Sequence, residues 1–556
     1  MRGPAVSTQV RFVLTIVLSL AILTVYGMLR PRPAELPKAE TPAVAADEGA
    51  GSASPGDGAA EGGAPAEQAP VDAAPVESTP DEVPARHDAI RTELLALDLS
   101  NQAVGVRGLV EHVRLLSPQF ADHPTGEDPF DLGNAGTFAI AVYDREAEAP
   151  AIAKTGGFRV LEATASRYVA ERTEDGIRTE VRLEALDGYE GRLEIVVENR
   201  RSRPFEHHLE LVTRIGVGES RYDVRRGLCR TGEDLEEIES DDVEEAPVRV
   251  RGDVRWGGSD GKYFTSLIVG EAAFASCEVT RNEAGDRLQT TLRTEGVVSQ
   301  PGARAVYRFG WYVGAKELER LQAFAAVDLK EGSLEEAIEW GYLGAVSEGL
   351  GKVLLRLLRW IHGWAGSWGL SILLLTVMVK LVTLPLTLKQ MASMRRMKEI
   401  QPEINRIKEK YADDRVRQGQ ELQALFARSG VHPLAGCLPM LIQIPVWFAL
   451  YSMLLSAVEL VHQPFLWLPD LTTQDPYFVL PVAIGGAMYL QNRMMPNTMD
   501  EAQAKMMRTI MPVMFTAIML FLPAGLGVYI LTNIVLSVLQ TAIQMRSKTD
   551  AEPASA

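Results

Sequence analysis

The strongest constraint on this chain is the segment 366–388, GSWGLSILLLTVMVKLVTLPLTL, with Lys380 as its one charge. It is apolar over the roughly 20 residues that a helix needs to cross a bilayer. Thr376, Lys380, Thr383 and Thr387 recur at helical spacing and share one face. A charge at such depth costs about 2.5–3.5 kcal/mol on insertion scales, so it normally faces a bundle interior or a wet cavity. The alternative is snorkelling: Lys389 lies nine residues on, about 13 Å along a helix, and a lysine stem covers part of that distance. This helix alone leaves both readings open.

The 556 residues allow several domains, and their 46% hydrophobic content averages two unlike parts. The stretch before residue 330 is polar and acidic, and the stretch after it is very apolar. A net charge of −17 argues against a nucleic-acid binder. Three cysteines are too few for a disulfide framework. Cys229 and Cys277 fall in one region and either pair, if it is extracytoplasmic, or remain two buried thiols.

Residues 1–30 hold an apolar run, Phe12–Leu29, flanked by Arg2, Arg11, Arg30 and Arg32. Its length and the lack of an adjacent small-residue cleavage site favour a membrane anchor over a cleaved signal peptide. Residues 31–87 are dominated by Pro, Ala, Gly, Glu and Asp, which cannot bury enough surface to offset chain entropy, and read as a disordered tether. From 88 to 330, short alternating runs such as Phe138–Tyr143, Leu193–Val197, His208–Ile215 and Ala305–Val313 are broken by turn residues. They predict an antiparallel β-sandwich.

Within 331–365, Val353, Leu354, Leu357, Leu358 and Ile361 oppose Lys352, Arg356, Arg359 and His362. That pattern suits an amphipathic helix in the membrane interface, or a linker helix packed on the preceding domain. The region 366–546 then reads as five spans: 366–388, 434–458, 477–491, 509–522 and 526–545. A charged helical hairpin, 389–432, follows the first of them, and residues 547–556 form a tail. With the early anchor, this predicts a polytopic α-helical membrane protein of six spans plus an extracytoplasmic β domain.

Charge orients the spans. Ten Lys and Arg between 389 and 432 belong in the cytoplasm, whereas 459–476 has no Lys or Arg and carries Asp470 and Asp475. Arg493, Lys505 and Arg508 place the next loop inside, and Arg546 and Lys548 place the C-terminus inside. Counting backwards puts the N-terminus in the cytoplasm and residues 31–365 outside.

Catalytic signatures are missing or accidental. Gly351-Lys352 and Gly261-Lys262 lack the upstream glycine of a phosphate loop, and neither HExxH nor CxxC occurs. Gly257–Gly261 matches G-x-S-x-G, but a β-like run follows where that motif needs a helix, so the match reads as a turn. What recurs is polarity within spans. Gln443 lies in one, and Tyr529, Thr532, Asn533, Ser537 and Gln540 share a face of another. Singly these are ordinary interhelical hydrogen-bonders, but two stripes and a lysine point to one hydrated cavity. Prolines at 385, 439, 445, 481 and 512 add irregular backbone, tolerated where protein or water satisfies it.

Several runs together resemble the YidC/Oxa/Alb membrane-protein insertases. They are Trp368-Gly369-Leu370-Ser371…Thr376…Lys380…Pro385-Leu386-Thr387, His432-Pro433-Leu434…Gly436-Cys437-Leu438-Pro439…Gln443-Ile444-Pro445, Asp475-Pro476-Tyr477, and Pro523-Ala524-Gly525-Leu526…Tyr529…Asn533. Trp256…Asp260…Lys262-Tyr263-Phe264 and Tyr312–Glu317 are similar to the periplasmic domain of Gram-negative members. Two departures stand out: Lys380 occupies a position usually held by arginine, and Tyr529 and Asn533 lie one residue closer than the usual pattern.

The resemblance implies a five-helix core around a hydrophilic groove, open to cytoplasm and lipid and closed on the outer side. Its groove residues here would be Lys380, Thr376, Thr383, Gln443, Tyr529 and Asn533. It implies insertion and folding of nascent inner-membrane proteins, alone or with the Sec translocon, with the signal-recognition-particle receptor, the ribosome and the lipid bilayer as further partners. No covalent step is involved, so neither an enzyme activity nor a cofactor, metal or bound nucleic acid is expected. A secondary transporter or channel with an extracytoplasmic sensing domain is the rival, weakened because the core shows no inverted repeat and no second membrane charge.

Overall fold

The computed structural model describes residues 83–101, 109–117, 120, 130–131, 139–144, 149–150, 157–216, 225–244, 246–281, 287–328, 333–341, 345–412, 414–429, 438–494 and 506–549. The expected anchor, almost all of the tether and the tail from 550 lie outside them.

Within 87–315 the described residues are strands and their turns, with a 3-10 turn at Ser240–Val243. Four strands, His87–Arg91, Leu95–Ser100, Val110–Leu115 and Phe130–Asp131, make a small antiparallel sheet. Fourteen more form one large antiparallel sheet. The alternating runs read from sequence lie in its strands Ala139–Asp144, Glu190–Asn199, Phe205–Gly216 and Arg304–Ala315. The hub is Phe264–Arg281. Its first part, Phe264–Gly270, pairs with Arg304–Ala315, and its second, from Phe274, pairs with Arg287–Thr294 across a register shift between Phe274 and Ser276. Such irregularities bend a strand and raise its twist, so the sheet turns back on itself. The layers then meet face to face, with the hydroxyls of Thr213 and Ser259 3.1 Å apart although their strands are not paired. A Cβ on Gly227 would come within 2.3 Å of the Val279 side chain. Trp256, Trp311, Leu228 and Leu292 fill the interior. Cys229 and Cys277 are disulfide-bonded there, which closes the alternative of two thiols.

The G-x-S-x-G match is strand rather than turn: Gly257–Asp260 ends Val248–Asp260, and the turn begins at Gly261. Ser259 is fully buried and bonded to Thr213 and Thr290, so it cannot serve as a nucleophile.

After a short helix, Leu318–Gln322, and a 3-10 turn, Leu334–Ala337, the chain is helical. The helices are α1 (Ala345–Ala365), α2 (Trp368–Glu399), α3 (Gln401–Lys410), α4 (Arg415–Ser429), α5 (Leu438–Ser456), α6 (Val479–Met494), α7 (Met511–Met519) and α8 (Ala524–Thr549). Met506–Ile510 forms a turn of π-helix of its own. Span and hairpin are continuous at 388/389, because α2 runs on to Glu399 with Pro385 inside it. Among the described residues, two helical stretches, Trp368–Leu388 and Ala524–Ile543, are long and apolar enough to cross a membrane. α6 has 16 residues, no fewer than the expected span 477–491, and α7 has 9, fewer than the expected 509–522; both fall short of the roughly 20 of a straight crossing.

Candidate functional site: a helical core sealed at one end

α1 is amphipathic, and its buried face is the one the sequence pattern predicts except at one edge, where Leu355 replaces Val353 and Leu357 is partly buried. Leu354, Leu355, Leu358 and Ile361 are buried, whereas Val353 is exposed, together with Trp360 and Trp364. The buried residues pack on α5 and α2. Arg359 is held by the Glu459 carboxylate at the end of α5, with Nε 2.7 Å from Oε1, and by Glu319 at 3.1 Å. Burial pushes the Glu459 carboxyl up from its usual range against the pull of Arg359. Lys352 bridges Glu335 and Glu348.

A second buried cluster ties the β domain to the turn that leads into α1. Asp260 Oδ2 takes Arg226 Nε at 3.0 Å and Lys316 Nζ at 3.1 Å. Both cations also donate to the Ala337 carbonyl at 3.1 Å. Burial lowers the Lys316 pKa, and the Asp260 charge opposes it. These contacts join β domain, α1 and core through charge pairs. Separations of tens to more than a hundred residues left no periodic signal for sequence reasoning to find.

The loop 457–478 closes the α1 end of the core. Phe465 packs against Gly369, where a Cβ would lie 2.1 Å from the ring. The carbonyls of Leu471 and Thr473 accept from the Gly525 and Ala524 amides at the start of α8. Asp475, read from sequence as an outside charge and as part of a family-like run, is buried and accepts from the Trp467 indole and the Tyr477 and Leu480 amides, capping α6.

Packing changes along every core helix. Toward the α1 end, Ser371, Ile372, Leu375 and Thr376 of α2 are buried, as are Ala449, Leu450, Met453 and Leu454 of α5 and Ala524–Ile530 of α8. Away from it the helices open: Leu381 and Val382 are 62% and 77% exposed, and Ile444, Leu490, Val535 and Leu539 are exposed too. Those side chains suit lipid, since exposed apolar residues in this number would be unfavourable in water. α5 rests chiefly on α1 and touches α2 and α8 sparsely.

Lys380 sits at the transition, and it brings the two polar stripes together. Its Nζ lies 3.1 Å from Asn533 Oδ1 and 2.6 Å from Ser537 Oγ on α8. Thr383, one turn toward the open end, is half-buried and donates to the Val379 carbonyl at 2.9 Å. Thr376 and Tyr529 lie in the sealed part and are buried. Thr376 bonds its own helix, donating to the Ile372 carbonyl. Gln443 is on α5, with its side chain outside the described residues. Ser537 belongs to the stripe read on the last span but not to the six groove candidates, because spacing shows a shared face without showing which residue the lysine reaches. Among the described residues no cluster of His, Cys, Asp or Glu could hold a metal ion.

Comparison with known proteins follows the same two-part division. The family described as YidC periplasmic domain matches residues 161–353, and the family described as 60Kd inner membrane protein matches residues 360–552. The chain belongs to the YidC family. A membrane protein insertase YidC from Anaeromyxobacter sp. (strain Fw109-5) is 40% identical over 331 residues, 60% of this chain and 58% of that one. Another, from Geobacter sp. (strain M21), is 35% identical over 324 residues, 58% of each chain. The chain thus spans about three-fifths of the length of the curated YidC relatives it matches. A solved structure described as an active YidC insertase with its first transmembrane domain resolved covers 95% of this chain and 99% of that one, at 17% identity and a TM-score of 0.36. The YidC periplasmic domain here is built of antiparallel sheets, and the C-terminal region is helical.

Proposed function

We propose that this chain inserts nascent membrane proteins into the inner membrane and assists their folding, through a groove centred on Lys380, without a covalent step. The observation that carries the reading is the packing gradient of the core with a cation at its turning point. A guest's polar or acidic segment would enter at the open end. Water and the Lys380 ammonium would lower the cost of taking that segment out of bulk water, several kcal/mol for an unpaired polar group. Its apolar segment would leave sideways into lipid, driven by apolar burial.

In this reading Lys380, Thr383, Asn533 and Gln443 line the groove, and Thr376 and Tyr529 form its floor. The core 366–546 crosses the membrane five times, an anchor within 1–30 crosses it once, both termini are cytoplasmic, and 31–365 is periplasmic. The basic hairpin α3–α4 would receive nascent chains and the ribosome or targeting receptor, and the Sec translocon would be a further partner. Trp360 and Trp364 would sit at the outer headgroup level, where aromatic rings concentrate.

The test is complementation of a depleted strain. Lys380→Arg should support insertion of a single-span test protein. Lys380→Glu should lower it by about tenfold or more for guests with acidic translocated segments, since reversing the charge changes their interaction by at least about 1.4 kcal/mol. Wild-type insertion of those guests by Lys380→Glu would refute the electrostatic groove.

A further inference from the structure

The five core spans contain no aspartate or glutamate, so they offer the Lys380 ammonium no counter-ion. Two neutral oxygens from α8, one helical turn apart, take that place: Asn533 Oδ1 and Ser537 Oγ. The Ser537 hydroxyl also lies 2.7 Å from the Asn533 main-chain carbonyl, to which it donates. Its hydrogen is thereby committed, and its lone pairs are left for the ammonium. An ammonium has three donors, and among the described residues this geometry uses two.

We infer that Asn533 and Ser537 are positioning residues, a neutral clasp that aims the Lys380 ammonium and makes the site selective for a carboxylate in the guest. The inference rests on the groove reading and deepens it. Two physical arguments support it. A lysine carries a compact charge on a flexible four-carbon stem and lacks the planar fork by which arginine pre-organises its donors. Without fixed acceptors the ammonium would sample many rotamers and the groove would lose its focus. Hydrogen bonds to a charged acceptor are also about twice as strong as those to a neutral one. An incoming carboxylate can therefore displace a neutral oxygen from a donor, or take the third, without breaking an ion pair first. A resident carboxylate would instead hold the lysine and exclude the guest.

A lysine needs the serine oxygen, whereas a guanidinium with five donors needs it less.

The experiment uses the full chain in a depleted strain and two single-span guests, one with two aspartates in its translocated segment and one with none. Ser537→Ala should lower insertion of the acidic guest by about tenfold, the worth of one hydrogen bond to a charged group. The neutral guest should change by less than about twofold. Ser537→Thr, which keeps the hydroxyl, should restore the acidic guest, and adding Lys380→Arg to Ser537→Ala should suppress the defect. Equal loss for both guests, or no rescue by either route, overturns the clasp, because a packing defect would act on both. Lys380→Leu separates the two levels. If it inserts the acidic guest like wild type, the groove reading itself falls. If it is defective while Ser537→Ala is neutral for the acidic guest, the groove stands and the clasp falls.

Discussion

Two buried lysines in this chain are handled in opposite ways. Lys316 in the β domain is fully enclosed and meets a carboxylate, Asp260, beside Arg226. Lys380 in the helical core is partly enclosed and, among the described residues, meets neutral oxygens. The β domain repeats the first solution on its surface. Glu171 and Glu180 lie directly opposite on paired strands, and Arg178 bridges both, at 2.8 and 2.6 Å. Like charges opposed in this way are destabilising until a cation intervenes. The β domain therefore completes its charge pairs internally, which suits a structural unit. The core leaves the one charge within its spans with bonding capacity to spare among the described residues, which suits a binding unit.

The contrast can be tested where its expected effect is largest, at Asp260. Asp260→Ala leaves buried Lys316 without its carboxylate partner, while Arg226 keeps Glu237 at 2.5 Å and Glu339 at 3.8 Å, and removing one partner of a buried pair costs about 3–5 kcal/mol. Thermal unfolding and limited proteolysis of the full-length protein in detergent should show a destabilised β domain and an intact core. Insertion of a small test protein should persist. If insertion vanishes while α2–α8 stay protease-resistant, the two regions do not divide structure from binding as proposed.

A smaller effect concerns acid. His207 is buried between Phe205, on which it stacks, and Tyr307, whose hydroxyl is 3.1 Å from Nε2. Burial depresses its pKa to about 4. A depressed value means that the folded state favours the neutral ring. This contribution is fully present above about pH 6.5, the unfolded value, and is lost as pH falls through about 4. Its full size is about 3 kcal/mol, because a tenfold change in proton affinity between folded and unfolded states is worth about 1.36 kcal/mol. Unfolding of the β domain followed between pH 7 and pH 4 should show this loss, and His207→Phe should flatten it. An unchanged profile in His207→Phe would assign the acid sensitivity to other groups.

The smallest expected effect is a labelling contrast within the core. Thiols react as thiolates, which require water. In a Cys437→Ser background, a cysteine at Thr383 should react with a membrane-impermeant thiol reagent added from the cytoplasmic side. Cysteines replacing Thr376 in the sealed part and Val535 on the exposed apolar face should stay silent. Labelling at 376 equal to that at 383 would erase the boundary between sealed and open halves.

Much of this molecule was legible before folding, for local reasons. Alternation every second residue marked the strands, and long apolar runs marked α2 and α8, because both patterns follow from the backbone geometry of a single element. The polar stripes and Lys380 were legible in the same way. The weaker readings concerned relations between elements. Val353 belonged to the apolar face of α1 by spacing, yet Leu355 is buried and Val353 is not, because α5 and α2 meet that helix off the predicted axis. The end of the first core span was set at 388 by charge, but helical hydrogen bonding does not stop where hydropathy does, and α2 continues to Glu399.

The sequence by itself determined the class of this protein: a β-rich domain joined to membrane helices, with a polar face and one cation inside an apolar core. Those properties depend on residue type and near neighbours. Only tertiary structure decided that Cys229 bonds Cys277, that Asp260 serves Arg226 and Lys316 together, and that the core seals at the α1 end and opens at the other. It alone showed that Lys380 reaches Asn533 and Ser537, more than 150 residues away. The physical reason is that a contact of about 3 Å between distant residues depends on how whole elements stack. That stacking sums many weak packing terms, none of which is written at either residue.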